Sequence, residues 1–229
     1  MKAAPKRAFP LRVRRSVRTE KHMEMSFRVN VGKEPRLIEN SELSLFAKQY
    51  GLDRIAPQRY SQLFVLTLLL LEQMQGIDPH HVIDEIKHLE GLLPSRQTKP
   101  ATEFRGALLR GLWHKHFFPA LPSVMAHNIT AHLRGEKLGE LVNEVLDPAK
   151  NPVVTQEMIN ELSHRVVTES IEERGEVRKL TGEWIIFAKE GGENYYLCVC
   201  PHNSEDEVIV SNLRTACLPE YGFLSRYLS

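Results

Sequence analysis

The chain has 229 residues, of which 42% are hydrophobic and 26% are charged, a balance typical of a globular protein. Its most apolar stretch begins at Leu63 and has about nine near-continuous apolar positions, whereas a membrane-spanning helix needs roughly 20. Three cysteines are an odd number, which argues against a disulfide framework. We therefore expect a cytoplasmic protein without a membrane segment.

Positive charge is concentrated at the N-terminus. Residues 1–36 contain 11 Lys and Arg against three acids, so this segment carries +8 and the remainder of the chain −7. We expect residues 1–22 to form a basic, irregular arm. Two kinds of partner fit such an arm: RNA or another polyanion, and an acidic surface on this protein or on a protein partner.

The first regular elements are predicted from hydrophobic periodicity. Apolar and polar residues alternate from Met23 to Val31, which predicts a half-buried strand. Helices are predicted at 40–51, 57–76 and 78–91, each ended by a glycine. The second of these is apolar on nearly all sides, which is typical of a central core helix.

Further along, apolar residues recur at helix-like spacing from Phe104 to Trp113, and more helix is predicted at 122–147 and 155–175. Two β-rich runs, 184–189 and 195–200, then flank a Gly-Gly pair that is typical of a hairpin turn. A last helix is predicted from Ser204.

These elements predict an α+β fold, with a mainly helical body and a C-terminal β-hairpin plus helix. The early strand is the candidate to complete a small antiparallel sheet. We expect the basic arm (1–22), the helical body (23–150) and the C-terminal part (151–229), with the last two packed as one globular unit.

The segment GLWHKHFF holds three groups able to carry positive charge, His114, Lys115 and His116, within an aromatic frame. If the segment is helical, the two histidines point about 200° apart, and a cationic helix C-terminus is the simpler interpretation. If it is extended, both lie on one face and can bind a phosphate or a metal together. The sequence leaves both conformations open.

Two other patterns contain metal-ligand residue types. Cys198, Cys200 and His202 have the same parity in a predicted strand, but C-x-C-x-H is not the usual zinc spacing, and buried cysteines are the simpler interpretation. His80, Asp84 and His88 recur every four residues, yet they span about 12 Å of helix, too far for one ion. We therefore expect neither a metal nor a cofactor.

A metal-independent ribonuclease needs an acid, a base, cations that hold the phosphate and rings that stack on a base. The candidate catalytic residues are His114, His116 and His202. The candidate phosphate-binding residues are Lys115, Arg110 and Arg105. The candidate base-stacking residues are Trp113 and Tyr196. They predict a cytoplasmic bacterial protein that acts on nucleic acid, as an endoribonuclease of a toxin or defence system. The alternative is a non-catalytic interaction or accessory protein that binds an acidic partner, and the lack of a specific catalytic motif favours it.

Several segments resemble known proteins. The blocks 109–118 (LRGLWHKHFF) and 180–202 (LTGEWIIFAKEGGENYYLCVCPH) resemble uncharacterised bacterial proteins, and this resemblance implies no activity. The spacing of Arg110 and His116 is similar to the Arg-x(4–6)-His pattern of all-helical HEPN ribonucleases, which implies a helical Arg–His pair beside the scissile phosphate. The order strand, turn, strand, histidine loop and helix resembles in outline the sheet edge of RelE-type ribonuclease toxins.

Overall fold

The structure is a computed structural model that describes residues 12–15, 25–31, 34–94, 98–119, 122–147, 153–176 and 183–228. Most of the basic arm lies outside these residues. The chain divides into two compact units. The first comprises Met1–Pro94, Ala101–Phe117 and Glu183–Ser229, and the second comprises Ser95–Pro100 and Phe118–Gly182.

The predicted early strand is confirmed, and it belongs to a three-stranded antiparallel sheet of its own. Phe27 and Val29 are buried while Arg28 is exposed, as the alternation predicts. One strand of this sheet lies within the arm that was predicted to be irregular, because pairing with the central strand supplies backbone hydrogen bonds that no residue pattern reveals. The strands, in the order in which they pair, are β1 (Arg12–Arg15), β2 (Met25–Val31) and β3 (Glu34–Ile38).

Four helices follow, and the third is the core helix. They are α1 (Asn40–Gln49), α2 (Leu52–Ile55), α3 (Gln62–Gln75) and α4 (His80–Leu89). Residues 63–71 of α3 are all buried. The helix begins five residues after Pro57, because the Ser61 hydroxyl accepts a hydrogen bond from Phe64 N and caps the first turn. It ends at Gly76, as predicted.

The main sheet is four-stranded and antiparallel. The predicted hairpin is confirmed, and its turn consists of Gly191 and Gly192, both with positive φ (59° and 87°), as a two-residue hairpin turn requires. The elements are β4 (Thr102–Glu103), β5 (Trp113–Phe117), β6 (Glu183–Glu190) and β7 (Glu193–Cys200), followed by α9 (Asp206–Asn212), a π-helical turn (Leu213–Cys217) and a 3₁₀ helix (Gly222–Arg226).

The stretch with helix-like spacing, 104–113, is not a helix. It connects two strands, and β5 rather than the early strand lies beside the hairpin. Gly111 has φ +88°, and a Cβ at this position would lie 2.5 Å from the ring of Tyr227. Only glycine fits this turn, which sends the following residues into the sheet.

One face of the main sheet packs against α3 and α4. The rings of Phe64 and Tyr196 lie 5.9 Å apart, and the Thr67 hydroxyl accepts a hydrogen bond from Val199 N at 2.9 Å. This face of the sheet therefore belongs to the core of the first unit.

The second unit is helical, as predicted for most of it. Thr155 caps one helix by accepting a hydrogen bond from Met158 N, and Gly135, with φ +75°, separates two others. The helices are α5 (Pro122–His132), α6 (Lys137–Val145), α7 (Gln156–His164), a π-helical turn (Arg165–Glu169) and α8 (Ser170–Glu176). Across the described parts of the chain, no helix has the length and apolar character needed to cross a membrane.

Candidate functional site

The HKH segment forms strand β5, so its side chains alternate between the two faces of the sheet. His114 and His116 lie on one face, with ring centroids 5.6 Å apart. Lys115 lies on the other and is 1% exposed. Of the two conformations that the sequence left open, the structure has the extended one.

All three histidines proposed as catalytic surround one tryptophan. Trp184 pairs with His116 across β5 and β6. Its ring lies 5.0 Å from that of His114, 6.3 Å from that of His116 and 5.6 Å from that of His202, which follows β7. We call these four residues the histidine cluster. Sequence reasoning missed Trp184, because its place among the histidines depends on the register between distant strands.

Access to solvent differs within the cluster. His202 is exposed, His114 is half-buried and His116 is 7% exposed.

The carboxylate of Glu183 accepts a hydrogen bond from His202 N at 2.6 Å, which holds the turn that carries this histidine. Burial raises the pKa of Glu183, and the hydrogen bond from His202 N offsets only part of that rise. The carboxyl group of Glu183, which lies beside the cluster, therefore keeps its proton to a higher pH than an exposed glutamate does.

The β4 region supplies two further contacts, neither of which was predicted. Thr102 Oγ1 lies 3.1 Å from His114 Nε2, and the ring of Phe104 lies 4.6 Å from that of His114 and 5.3 Å from that of Trp184. The Trp184 indole Nε1 is buried and has no hydrogen-bond partner among the residues described. The cluster is thus packed on one side by Phe104 and held at His114 by a hydroxyl.

An open depression of about 620 Å³ adjoins the cluster. Its lining includes Thr102 and Phe104, which contact His114, so the depression and the cluster share a wall. Arg105, Arg110 and Trp113 also line it. We call this surface the arginine depression.

Both guanidinium groups are available for an anion. Arg105 and Arg110 are exposed, and within the described ranges neither has an ion-pair partner. The one acid in the lining, Glu103, already accepts a hydrogen bond from Gly111 N at 3.1 Å. Guanidinium groups bind phosphate oxygens in bidentate geometry, so the depression can hold a phosphate.

Two of the proposed site residues lie elsewhere. Lys115 Nζ is 3.2 Å from Glu85 Oε2 in an ion pair that is almost fully buried. Tyr196 is completely buried, and its hydroxyl donates to Glu90 Oε1 at 2.6 Å. Burial, followed by the contact with Glu90, raises the pKa of Tyr196. Neither side chain reaches the cluster or the depression, because both point from the sheet into the core.

The cysteine pattern gives no metal site in this structure. Cys198 is buried and Cys200 half-buried, and contact with the Cys200 thiol, together with burial, raises the pKa of Cys198. Cys217 Sγ lies 3.4 Å from the Ser61 hydroxyl and 3.5 Å from Leu197 O. Where the structure describes the chain, it contains no group of three His, Cys, Asp or Glu placed to hold a metal ion.

The comparisons with known proteins name no relative: no family model, curated protein or solved structure matches the chain. The HEPN-like spacing does not produce that family's geometry, since Arg110 lies in a turn and His116 in a strand instead of on one helix. The chemistry of the site is therefore inferred from its own side chains.

Proposed function

We propose that the protein acts on nucleic acid as a metal-independent endoribonuclease. One observation supports this most directly: half-buried His114 and exposed His202 both contact the Trp184 ring, and His114 also contacts Thr102 and Phe104, which line a depression with two exposed guanidinium groups. An acid, a base and a phosphate site are the groups that RNA cleavage without a metal needs.

The reaction would use the 2′-hydroxyl of RNA as the nucleophile. One imidazole takes the hydroxyl proton while the 2′-oxygen attacks the adjacent phosphorus, and the bond from phosphorus to the 5′-oxygen breaks. The second, protonated imidazole donates its proton to that leaving oxygen. The products are a 2′,3′-cyclic phosphate and a 5′-hydroxyl, and Arg105 and Arg110 stabilise the charge that develops on the phosphate.

The remaining parts of the cluster have supporting roles in this proposal. His116 is a positioning residue, since it contacts the His114 ring and is nearly buried. The basic arm, residues 1–22, adds sequence-independent attraction for the polyanion. We further propose that the activity serves a toxin or defence system in a bacterial cytoplasm, which the outline resemblance to RelE-type toxins supports.

The test is RNA cleavage by the purified protein in EDTA, with the ends of the products identified. We expect cyclic phosphate ends, and we expect His114→Ala and His202→Ala each to lower the rate by about 10²–10⁴-fold, the usual contribution of a general acid or base. His81→Ala is the matched control, because His81 is exposed on α4 and its loss should leave the rate unchanged. Absence of cleavage by the parent protein across varied RNAs would exclude the proposal.

The second candidate function is non-catalytic binding of an acidic partner. It is favoured by the mutual packing of the rings, since Phe104, His114 and Trp184 lie within 5.3 Å of one another, which also suits a purely structural cluster. The same variants separate the two functions. A binding protein would retain its affinity for RNA or an acidic protein in His114→Ala and would release no cyclic phosphate.

A further inference from the structure

The indole of Trp113 already holds a cation on its face. Lys189 Nζ lies 3.7 Å from the ring centroid, and Trp113 is half-buried at the wall of the arginine depression. The lysine side chain is exposed, and its flexible four-carbon stem can move the ammonium group to a nearby phosphate. An aromatic ligand can therefore displace the Lys189 ammonium and stack on the electron-rich face of the indole.

The positive charge of the depression indicates that the ligand also carries an anionic group. Arg105 and Arg110, which have no ion-pair partner among the described residues, line the depression together with one acid, Glu103, whose carboxylate accepts a hydrogen bond from Gly111 N. The same depression therefore offers a stacking face and two anion-binding groups. A base with its phosphate carries the complementary pair of features.

We infer that the arginine depression binds an unpaired nucleotide of a single-stranded nucleic acid, whose base stacks on Trp113 in place of the Lys189 ammonium and whose phosphate lies between Arg105 and Arg110. This inference rests on the proposed function, because it specifies that the nucleic-acid substrate is single-stranded. It concerns binding alone and does not require the histidines to react.

Single strands are favoured over duplexes by the geometry of stacking. In a duplex, each base face is covered by its neighbours, whereas bases of a single strand can be splayed onto an aromatic side chain. The depression is open and lies along β4, the edge strand of the main sheet. One strand can therefore lie along this edge with a base directed at Trp113.

The test measures tryptophan fluorescence and affinity with a ten-residue oligodeoxyuridylate. This probe is single-stranded and lacks the 2′-hydroxyl, so the proposed reaction cannot cleave it during the titration. The chain has two tryptophans, and Trp113→Phe shows which of them responds. We expect quenching in the parent protein, little quenching in Trp113→Phe, and at least tenfold weaker binding of a duplex of equal length, because a duplex loses the stack.

Further variants separate stacking from charge. Trp113→Leu should raise the Kd about tenfold, the cost of losing one base–aromatic stack. Replacing both arginines, Arg105→Ala with Arg110→Ala, should reduce the slope of log K against log salt by about 0.7, the value for one phosphate contact on a single strand. Arg54→Ala, which removes an exposed arginine outside the depression, should leave the slope unchanged.

The outcomes distinguish this inference from the proposed function. Equal affinity for duplex and single strand, an unchanged Kd in Trp113→Leu or quenching that persists in Trp113→Phe would each overturn the inference, even if RNA is cleaved. Specific binding with all the expected variant effects, but without RNA cleavage by the parent protein, would support the inference and exclude the ribonuclease.

Discussion

The two faces of strand β5 place neighbouring residues in opposite surroundings. Lys115 points into the core, where Glu85 neutralises it. His114 and His116 point to the other face, where they contact aromatic rings and, for His114, solvent. Three adjacent residues of similar charge type therefore do not form one cluster. The two-residue period of a strand separates Lys115 from the two histidines, and of these three side chains the histidines lie on the face that solvent reaches at His114.

On the core face, Glu90 shows how a polar group is matched to specific partners. Glu90, for example, receives hydrogen bonds from Arg59 at 2.6 Å, Tyr196 at 2.6 Å and Asn194 at 3.1 Å. Burial alone would raise the pKa of Glu90, but these donors outweigh it and lower the pKa. We expect substitutions of buried polar groups on this face, such as Tyr196, to change stability, and substitutions in the histidine cluster to change function.

The largest change in stability is expected at the buried ion pair. Lys115→Ala removes the cation that pairs with Glu85 in the core, and breaking one partner of a buried pair costs about 3–5 kcal/mol. Urea denaturation of the parent protein and the variant measures this difference. Lys48→Ala, at an exposed position in α1, is the matched control and should change the free energy of unfolding by less than about 0.5 kcal/mol.

A double variant shows whether the charge pair or only the volume of the two side chains determines the free energy of unfolding. Lys115→Met with Glu85→Leu replaces both charges by apolar groups of similar size, and we expect it to recover most of the stability lost in Lys115→Ala. If Lys115→Ala is as stable as the parent protein, Lys115 is not held in the core, and the division between the two faces of β5 is wrong.

Local signals in the sequence were enough for the elements that local interactions define. Helix α3 was predicted from its apolar run and Gly76, and the β6–β7 hairpin from Gly191 and Gly192. The alternation of β2 also predicted its buried face. In each case the residues that determine the structure lie within a few positions of one another.

The site needed information that is not local. The spacing from Phe104 to Trp113 fits a helix, but the turn at Gly111 and pairing with β6, about 70 residues later, make the segment enter a sheet. Trp184 lies among the histidines only because of that register. The histidines and arginines could be proposed from their chemistry, whereas the inward direction of Lys115 and Tyr196 depends on which face of the sheet α3 and α4 cover.

Glu220 is half-buried and has no cation beside it among the described residues, so it should behave differently from Lys115 and Glu85. Burial raises the pKa of Glu220 from 4.5 to about 7, and the hydrogen bonds from Gln62 N offset only part of the rise. The folded state therefore favours the protonated acid. Its contribution to stability is fully present below pH 4.5 and is lost as the pH rises to about 7, by roughly 3 kcal/mol since one pKa unit corresponds to about 1.4 kcal/mol.

Glu220→Gln isolates this contribution, because the amide oxygen can still accept a hydrogen bond from Gln62 N and carries no charge. The free energy of unfolding, measured by urea titration at pH 5 and pH 8, should fall with pH more steeply in the parent protein than in Glu220→Gln. Other titrating groups are common to both proteins and cancel in the difference. Equal slopes would show that Glu220 is not desolvated in the folded state.

The smallest effect is expected from a single hydroxyl, and two adjacent tyrosines of β7 provide the comparison. Tyr196→Phe removes the donor to Glu90 in the core, which should lower the free energy of unfolding by about 1.5 kcal/mol, as is usual for a hydrogen bond to a charged group. Tyr195 is half-buried and packs its ring against Tyr221 and Phe223. Tyr195→Phe keeps these ring contacts, so it should change stability by less than about 0.5 kcal/mol. Urea denaturation of both variants measures the two changes. Equal losses of unfolding free energy would mean that Tyr195 and Tyr196 do not lie on different faces of the sheet.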